Sequence, residues 1–444
     1  MSLVIVGSLF PAATRTAGPG ADYWWTRDLF HLRFQADPPV LAGALVVAAI
    51  ALMAHLHLAG IRAGEAAHRR AGLLLAAQGC AFGALFSADV VALLFFLDAM
   101  LVCLWLLARS AAPRGADRLL SIAYAGSLLL GAGLAVLWVQ AGDSSTLSLG
   151  LLLLSQEPTR LKGAAALLLL GLAPRLGAFP GHGWVPSLSP AGPGIAGVCV
   201  ALLAPVGAVV LLRLLPGSIM LPTVPGFSGL AFALGLVAVL WGAVRVWAAA
   251  DLRGLAAWLT VVQAGHLLCA LGAAAAPMGS PGALRAAAVQ VLAAPVALVC
   301  VWTVASAVAA RAGSDTYAGV SGLWRRMPGA GLVLLAGGLS LAGLPPLAGW
   351  WVQRGLLAGV WGVGHPVWAV LIGLADLVVA LSVVNAFRLI FLRREPPPPV
   401  SESSAWLSLQ VALPALALVV LGVWPALVTG WGAQVLSGGV TGVP

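Results

Sequence analysis

Three ionisable residues of this sequence lie within long apolar runs. Asp98 lies in LLFFLDAMLVCLW, Arg175 in LLGLAPRLGAF and Asp376 in LIGLADLVVALS. At the centre of a membrane-spanning helix such a residue costs at least about 2.5 kcal/mol, and it commonly marks an ion or proton path. Because a buried charge without a partner is costlier still, the sequence predicts that Asp98 and Arg175 form a buried ion pair.

Two further polar residues share one face of a predicted helix. Gln263 and His266 lie three residues apart in TVVQAGHLL, which is helical spacing. Together with Asp376 they are candidates for a second polar site. For Asp376 a hydrogen bond to a neighbouring helix, without any part in ion movement, is an equally open interpretation.

Two segments contain the residues that interrupt a membrane helix. RLGAFPGHGWVP ends one apolar run and contains Pro180, His182 and Pro186. GLPPLAGWWVQR lies about 165 residues later, and its candidates are Pro345, Pro346, Gln353 and Arg354. Backbone that cannot complete its hydrogen bonds at membrane depth survives only when it is buried in protein or lines a watery cavity. The two breaks predict an internal repeat with ion sites near the membrane midplane, and simple proline kinks are the alternative.

The elements that position these residues follow from the composition. Hydrophobic residues make up 61% of the 444 residues and charged residues only 8%, against roughly 25% in a soluble protein. These values exclude a cytosolic enzyme, a secreted scaffold and a disordered chain. The five cysteines lie in apolar runs without CxxC spacing, which indicates core residues rather than a metal site or a disulfide framework.

The predicted fold class is an all-α polytopic membrane protein with about 12 (12–14) transmembrane helices. A helix needs about 20 apolar residues to span a bilayer, and twelve segments qualify: 39–61, 71–88, 89–109, 119–139, 161–180, 193–214, 226–248, 252–275, 283–310, 329–354, 365–390 and 404–430. We predict an N-terminal apolar or interfacial segment at 1–38, two inverted repeats at 39–214 and 226–392, and a C-terminal helix at 404–430. The predicted breaks lie near 175–186 and 343–354.

Basic residues predict the orientation of the bundle. Loops on one side hold fourteen arginines, among them Arg69, Arg70, Arg109 and Arg311, whereas the other side holds five basic residues. The positive-inside rule places the arginine-rich side in the cytoplasm of a bacterial cell and both termini on the periplasmic side of its inner membrane.

Five motifs in order give the chain a family resemblance over about residues 33–430. It resembles the proton-conducting antiporter-like subunits of respiratory complex I, the NADH-quinone oxidoreductase subunits of N and M type, which also occur in Mrp antiporters and membrane-bound hydrogenases. Asp98 lies where the family has a glutamate on its fifth helix. Arg175 lies where it has a lysine before a PxHxW(L/T)P element, here Pro180 to Pro186. The other three motifs are DLRGLAAW at 251–258, GLPPLAG at 343–349 and VVNAFRLIFL, which ends at 392.

The relay residues of the family are partly replaced. Its eighth-helix lysine falls on Pro205, also a candidate helix break, its tenth-helix histidine on Gln263, and its twelfth-helix lysine or glutamate on Gln353. Arginine stays protonated and is a poor relay, and proline cannot relay at all. The resemblance also predicts that about two N-terminal helices of the family's fourteen are missing or shortened. We therefore expect a degenerate proton path, or one rerouted through His182, His266, Asp376 and water.

The resemblance implies a non-redox membrane subunit of a proton-translocating NADH:quinone oxidoreductase complex. It implies no cofactor in this chain, with NADH, flavin, iron–sulfur clusters and quinone in partner subunits. The expected partners are other membrane-arm subunits and the lipid bilayer, not nucleic acid. Length favours the N or M type over the L type. The alternatives are a cation/proton antiporter, membrane-bound hydrogenase or inorganic-carbon uptake subunit, and a purely structural paralogue.

Overall fold

The computed structural model describes residues 23–24, 33–36, 38–59, 65–142, 158–214, 226–393 and 405–424. Within these ranges the only sheet is a two-residue antiparallel hairpin, in which β1 (Tyr23–Trp24) pairs with β2 (Arg33–Phe34). Nearly all other described residues are helical, which confirms the all-α fold class. The predicted apolar stretch at the start of the chain and most of segment 1–38 lie outside the described residues.

Each of the twelve predicted apolar segments overlaps a helix. In chain order the helices are α1 Pro38–Ala59, α2 Glu65–Phe86, α3 Val90–Arg109, α4 Pro113–Ala141, α5 Pro158–Leu176, α6 Trp184–Ser187, α7 Pro193–Leu214, α8 Phe227–Trp247, α9 Leu252–Ala274, α10 Pro281–Ala312, α11 Pro328–Leu341, α12 Gly349–Gly362, α13 Pro366–Phe387 and α14 Ala405–Val423. Among the described residues, eight helical spans are long and apolar enough to cross a membrane, and three shorter apolar helices accompany them. The chain is therefore a multi-pass membrane protein.

Both predicted breaks are present as interruptions of helices. The first separates α5 from α6 and contains a short 3₁₀ turn at Gly181–Gly183. The second separates α11 from α12. In each half of the bundle three uninterrupted helices (α2–α4 and α8–α10) precede the interrupted one, and a single helix (α7 or α13) follows it.

Local sequence signals set several helix ends. Asp89 caps α3, and its carboxylate accepts hydrogen bonds from the N–H groups of Val91 and Ala92. Such a cap satisfies donors that the first turn of a helix leaves unpaired. Helix α4 ends at Gly142, whose φ of 68° is the left-handed conformation that glycine adopts without strain.

Helix α9 is the centre of the second half, since nearly all of its residues are buried. It begins at the Asp251 motif, where the Asp251 carboxylate caps the helix by accepting from Gly254 N at 2.6 Å. Arg253 Nε donates to the buried carboxylate of Asp315 at 2.8 Å. The motif thus fixes the start of α9 against the loop that follows α10.

Small residues let α8 and α9 pack backbone against backbone. A Cβ atom on Gly235 would lie 2.8 Å from Gly265 O, and one on Gly265 would lie 2.7 Å from Gly235 O. Close approach through small residues is the usual means of helix association in lipid, where no hydrophobic driving force acts between helices. The outer faces of α3, α4, α8 and α13 remain apolar and exposed, as suits lipid or neighbouring membrane helices.

Candidate functional site

Asp98 and Arg175 form the predicted ion pair. Arg175 Nη2 on α5 donates to Asp98 Oδ1 on α3 at 2.6 Å. Ser127 on α4 completes the cluster: its hydroxyl accepts from Arg175 Nη2 at 2.5 Å and donates to Asp98 Oδ1 at 2.6 Å. We call these three residues the first cluster.

The two charges of the first cluster have different environments. The Arg175 side chain is 0% exposed, whereas that of Asp98 is 33% exposed on the outer side of α3. Phe95 and Val102, close to Asp98 along the helix, are also exposed. Arg175 Nη1 donates to Leu97 O at 3.1 Å, and its Nε has no partner in the described structure.

The chemistry of the first cluster follows from these groups. A guanidinium has donors only and does not release its proton near neutral pH, so that Arg175 holds a fixed positive charge. Asp98 is the member that can gain or lose a proton. The Ser127 hydroxyl can bond to Asp98 and Arg175 at the same time because a hydroxyl both donates and accepts.

The first break fixes the position of Arg175. Helix α5 ends at Leu176, and Gly177 follows with a φ of 76°, which turns the chain. Trp184 Nε1 donates to Pro174 O at 2.7 Å, which ties α6 to the last turn of α5. Pro180 lies in the turn between them and Pro186 lies within α6. Arg175 is therefore held at the end of a helix, where its guanidinium can reach across to α3.

His182 does not join the first cluster. Its ring stacks on Phe179 at 5.8 Å between centroids and lies 5.7 Å from the Trp258 ring. Its Nδ1 is buried and has no partner within the described part of the chain. No contact in the described structure links it to Asp98 or Arg175, and its predicted part in a proton path stays a prediction.

A second cluster forms at the second break. His266 Nε2 on α9 lies 3.1 Å from Asp376 Oδ1 on α13. Gln353 on α12 contacts both, with its Nε2 at 2.9 Å from His266 Nδ1 and 3.4 Å from Asp376 Oδ1. The arrangement fits a tautomer in which Nε2 donates to the carboxylate and Nδ1 accepts from the amide. His266 is 0% exposed and Asp376 is 7% exposed, so that the described chain shields this pair from lipid and water.

The second cluster contains two groups, the His266 imidazole and the Asp376 carboxylate, that can share one proton. A histidine and a carboxylate in contact can be an imidazolium and a carboxylate, or a neutral imidazole and a carboxylic acid. The Gln353 amide carries no titratable proton but orients the ring. This contrasts with the first cluster, where the cation is permanent.

Amide side chains extend the second cluster towards the middle of the bundle. Gln263 Nε2 donates to the carbonyl oxygen of Leu341 at 2.8 Å. Leu341 is the last residue of α11 before the break. Gln290 on α10 donates to Gln263 O at 2.7 Å and to Gln263 Oε1 at 3.3 Å. The Oε1 atoms of Gln290 and Gln353 are buried acceptors without a partner in the described structure.

Two neighbouring cavities lie between the clusters. One has an empty volume of about 460 Å³ and is lined by Leu176, Pro205, Thr260, Gln263 and Gln290 among others. The second, of about 220 Å³, shares Gln263 and Gln290 with it and reaches Gln353. The row of cavities thus begins at Leu176, the residue after Arg175 in the chain, and ends at Gln353 of the second cluster.

Pro205 does not break a helix, and this prediction was wrong. Helix α7 continues through it from Pro193 to Leu214. A proline inside a helix lacks the N–H that would bond the carbonyl four residues earlier, here that of Ala201. Pro295 in α10 likewise cannot donate to the carbonyl of Val291. The two prolines and the two residues with these carbonyls, Ala201 and Val291, all line the larger cavity. The two prolines therefore present backbone acceptors to the cavity.

Arg354 lies outside the second cluster. Its side chain is exposed, and its guanidinium lies 5.9 Å from the centroid of the Trp351 ring. Helical geometry explains the difference, since adjacent residues point about 100° apart and Gln353 occupies the inward position. Pro345 and Pro346 lie in the break between α11 and α12, as predicted.

Ser127 and Gln290 were missed in the sequence. Each is a single polar residue in an apolar run, in YAGSLLLGAG and AAAVQVLAAP respectively. A polar residue that faces the interior of a membrane bundle needs a hydrogen-bond partner. That signal was available, but the partners became visible only in the folded chain. Among the described residues, no three His, Cys, Asp or Glu side chains are arranged to hold a metal ion.

The chain is similar in sequence to proteins named as subunits of NADH-quinone oxidoreductase. It is 28% identical over 261 residues to NADH-quinone oxidoreductase subunit N 2 of Solidesulfovibrio magneticus, covering 59% of this chain and 54% of that protein. It is 30% identical over 268 residues to subunit N of Heliobacterium modesticaldum, covering 59% and 55%. The matches with these curated relatives span about half of their length.

Solved structures share the fold. A chain of the Mrp complex from Dietzia sp. DQ12-45-1b matches with a TM-score of 0.83 at 17% identity, over 99% of this chain and 90% of that one. A chain of respiratory complex I from Thermus thermophilus matches with a TM-score of 0.81 at 20% identity, over 100% and 95%. The family model for NADH:quinone oxidoreductase/Mrp antiporter transmembrane subunits matches residues 87–379, well over half of the chain. This range contains both clusters and both breaks, and the chain belongs to that family.

Proposed function

We propose that this protein is a membrane-arm subunit of a complex I-like NADH-quinone oxidoreductase and takes part in redox-coupled proton translocation. The observation that carries the proposal is the first cluster, in which a carboxylate on α3 and a guanidinium on α5 are bonded to each other and to Ser127 on α4, within spans that are long and apolar enough to cross a membrane. Such a pair is expensive in hydrocarbon and is retained where charge or protons move. Family membership and the names of the curated relatives support the same function.

The outward position of Asp98 supports a neighbouring subunit as partner. A carboxylate that is one third exposed midway along a membrane helix would be poorly covered by lipid tails. Polar groups of another membrane subunit would cover it at lower cost. The electron chemistry, with NADH, flavin, iron–sulfur clusters and quinone, is then assigned to partner subunits.

Within the chain we assign proton exchange to Asp98 and to the His266–Asp376 pair. Arg175 keeps its proton. Pro205 and Gln353 carry no titratable proton, where the resemblance predicts a lysine at the first position and a lysine or a glutamate at the second. The larger cavity offers about 40 Å³ to the centres of water molecules, which is enough for a few waters at roughly 10–15 Å³ each, and the smaller cavity offers about 10 Å³. Water would therefore have to carry protons past Pro205. This path keeps His266, Asp376 and water from the route expected from the sequence, and a part for His182 stays a prediction.

A second candidate is a subunit of a cation/proton antiporter without a redox partner. The similarity in fold to a chain of the Mrp complex is as high as the similarity to complex I. A structural subunit that conducts no ions is the third possibility, favoured by the replaced relay residues. We place the chain in a bacterial inner membrane, with the arginine-rich turns in the cytoplasm and the termini outside.

Purification of the tagged chain from its native membranes tests the assignment. We expect subunits with flavin and iron–sulfur clusters to co-purify, and the preparation to reduce quinone with NADH. Recovery with other membrane subunits only, together with cation/proton exchange in vesicles, would contradict this function and establish the antiporter.

A further inference from the structure

A third cleft of the described structure lies away from both clusters. It has an empty volume of about 770 Å³ and is bounded by α1, α2, α7 and α10, with one contact from α3. Its walls are mainly apolar. The residues that line it include Arg70, Pro193, Gly194, Ile195, Trp302 and Thr303.

The cleft opens towards the arginine-rich end of the bundle. Arg70 lies near the start of α2, and Leu107 lies near the end of α3, two residues before Arg109. The walls include the first turns of α7 and the second half of α10, which meet at the same end. The cleft therefore runs from one membrane surface into the apolar interior.

Two polar side chains of the cleft, Arg70 and Trp302, are hydrogen-bond donors without an acceptor. Arg70 carries a guanidinium, which has five N–H donors and no acceptor. Trp302 is 3% exposed, and its indole Nε1, a donor only, is buried without a partner in the described structure. The Thr303 hydroxyl, by contrast, already donates to carbonyl oxygens of its own helix.

The first turn of α7 adds to these donors. Pro193 is its first residue, and Gly194 and Ile195 follow within the cleft. The first N–H groups of a helix have no partner inside the helix, and the helix dipole favours negative charge there. The start of this 22-residue helix, Arg70 and Trp302 all line the same cleft. Their N–H donors, with the unpaired indole N–H of Trp302 among them, give the polar mouth of the cleft a positive electrostatic potential.

We propose that this cleft binds one anionic phospholipid, with its phosphate at Arg70 and the start of α7 and an acyl chain along the apolar walls. An acidic headgroup supplies acceptors and negative charge to a mouth of donors, and the chain fills a space that presents few polar atoms. A zwitterionic lipid offers the same tail but no net charge. The site is separate from the two clusters and does not depend on their function.

Titration of the purified full-length chain with dioleoylphosphatidylglycerol, followed by native mass spectrometry, tests the proposal. Dioleoylphosphatidylcholine is the reference lipid, and decylubiquinone is a competing neutral ligand. We expect one tightly retained phosphatidylglycerol, weaker retention of phosphatidylcholine and no displacement by decylubiquinone. Equal affinity for the two lipids, or displacement by the quinone, would overturn the proposal.

Matched variants locate the site. R70Q should weaken phosphatidylglycerol binding about fivefold, the effect of one basic side chain at an anionic membrane surface. R69Q removes the same charge from the preceding residue, which is exposed and does not line the cleft. It should leave the affinity for phosphatidylglycerol unchanged. T303F should remove binding by filling the cleft, and W302F should weaken it. Equal losses in R69Q and R70Q, or full binding in T303F, would show that the lipid lies elsewhere.

Discussion

Arg175 is the residue that most changes the chemistry of the first cluster. Its guanidinium contacts Asp98, Ser127 and Leu97 O, and it is fully buried. A lysine in this position can be deprotonated by burial and a neighbouring charge, whereas arginine cannot. The cluster thus keeps the electrostatic role of an ion pair, and under the proposed function any proton exchange in it is assigned to Asp98.

Asp98→Asn should destabilise the chain, since it leaves the Arg175 guanidinium buried without a counter-charge. Removal of one partner of a buried pair costs about 3–5 kcal/mol, and we expect the lower end because the Asp98 carboxylate is 33% exposed. Thermal unfolding in detergent measures the effect. Asp98→Asn/Arg175→Gln should recover most of the loss. A double variant as unstable as the single one would show that the unpaired charge is not the cause.

Glycine contacts determine how closely the helices of the second half approach. At Gly235 an added methyl group would meet Cys269 Sγ at 2.7 Å and backbone atoms of α9 at 2.8 Å. The neighbouring helix must then move outward. Because α9 also carries Gln263 and His266, this packing helps to position the second cluster.

Gly235→Ala should lower the free energy of unfolding by about 1–3 kcal/mol, the usual cost of overpacking. Gly229→Ala is the matched control on the same helix, because its added Cβ would meet nothing within 4 Å. Chemical unfolding of the two variants in mixed micelles measures the difference. Similar stabilities would refute backbone contact between α8 and α9.

Pro205→Ala should stabilise the chain and reduce proton translocation. The restored N–H can donate to Ala201 O, which ends the exposure of that carbonyl to the cavity. Pro414→Ala is the control, since Pro414 also lies inside a helix, α14, and does not line the cavity. We expect both variants to have a raised Tm and only Pro205→Ala to translocate fewer protons. Unchanged translocation in Pro205→Ala would remove this cavity from the path.

Much of the helix order could be predicted because a membrane helix needs a long apolar run and a break needs proline and glycine. The Asp98–Arg175 pair could be predicted from the cost of a single buried charge. The contribution of Ser127, the inward position of Gln353 and the outward position of Arg354 depend on how helices rotate against one another. Composition does not determine that rotation. Pro205 was misjudged because a proline can be accommodated within a membrane helix when its surroundings satisfy the backbone.

Seen together, the two halves of the bundle hold related but unequal sites. In each half, a residue on the second uninterrupted helix (Asp98 or His266) meets a residue at the interrupted helix (Arg175 or Gln353). The first site has a permanent cation and an outward carboxylate. The second is enclosed and has a His–Asp pair. The first cluster therefore has a fixed positive charge on Arg175. Under the proposed function, both clusters also have a group that can exchange a proton.

The proposed orientation makes a direct prediction for the turns of the bundle. Ser110→Cys lies in the exposed turn after α3, on the arginine-rich side, and Met278→Cys lies in the exposed turn before α10. A membrane-impermeant maleimide added to intact cells should label Met278→Cys only, and both after the cells are opened. The reverse pattern would invert the orientation.

The central claim is that Asp98 exchanges protons within a redox-coupled complex, and the ratio of protons translocated to NADH oxidised in proteoliposomes tests it most directly. Asp117→Asn is the control, because Asp117 is exposed near the start of α4 and its contact with Arg109 is 3.9 Å. Its carboxylate accepts a hydrogen bond from Trp105 Nε1 at 2.9 Å, and an amide oxygen can accept the same bond. In fully assembled complexes we expect Asp98→Asn to lower the ratio by the share that this chain carries, Asp98→Glu to retain it, and Asp117→Asn to leave it unchanged. An unaltered ratio in assembled Asp98→Asn complexes would contradict the account.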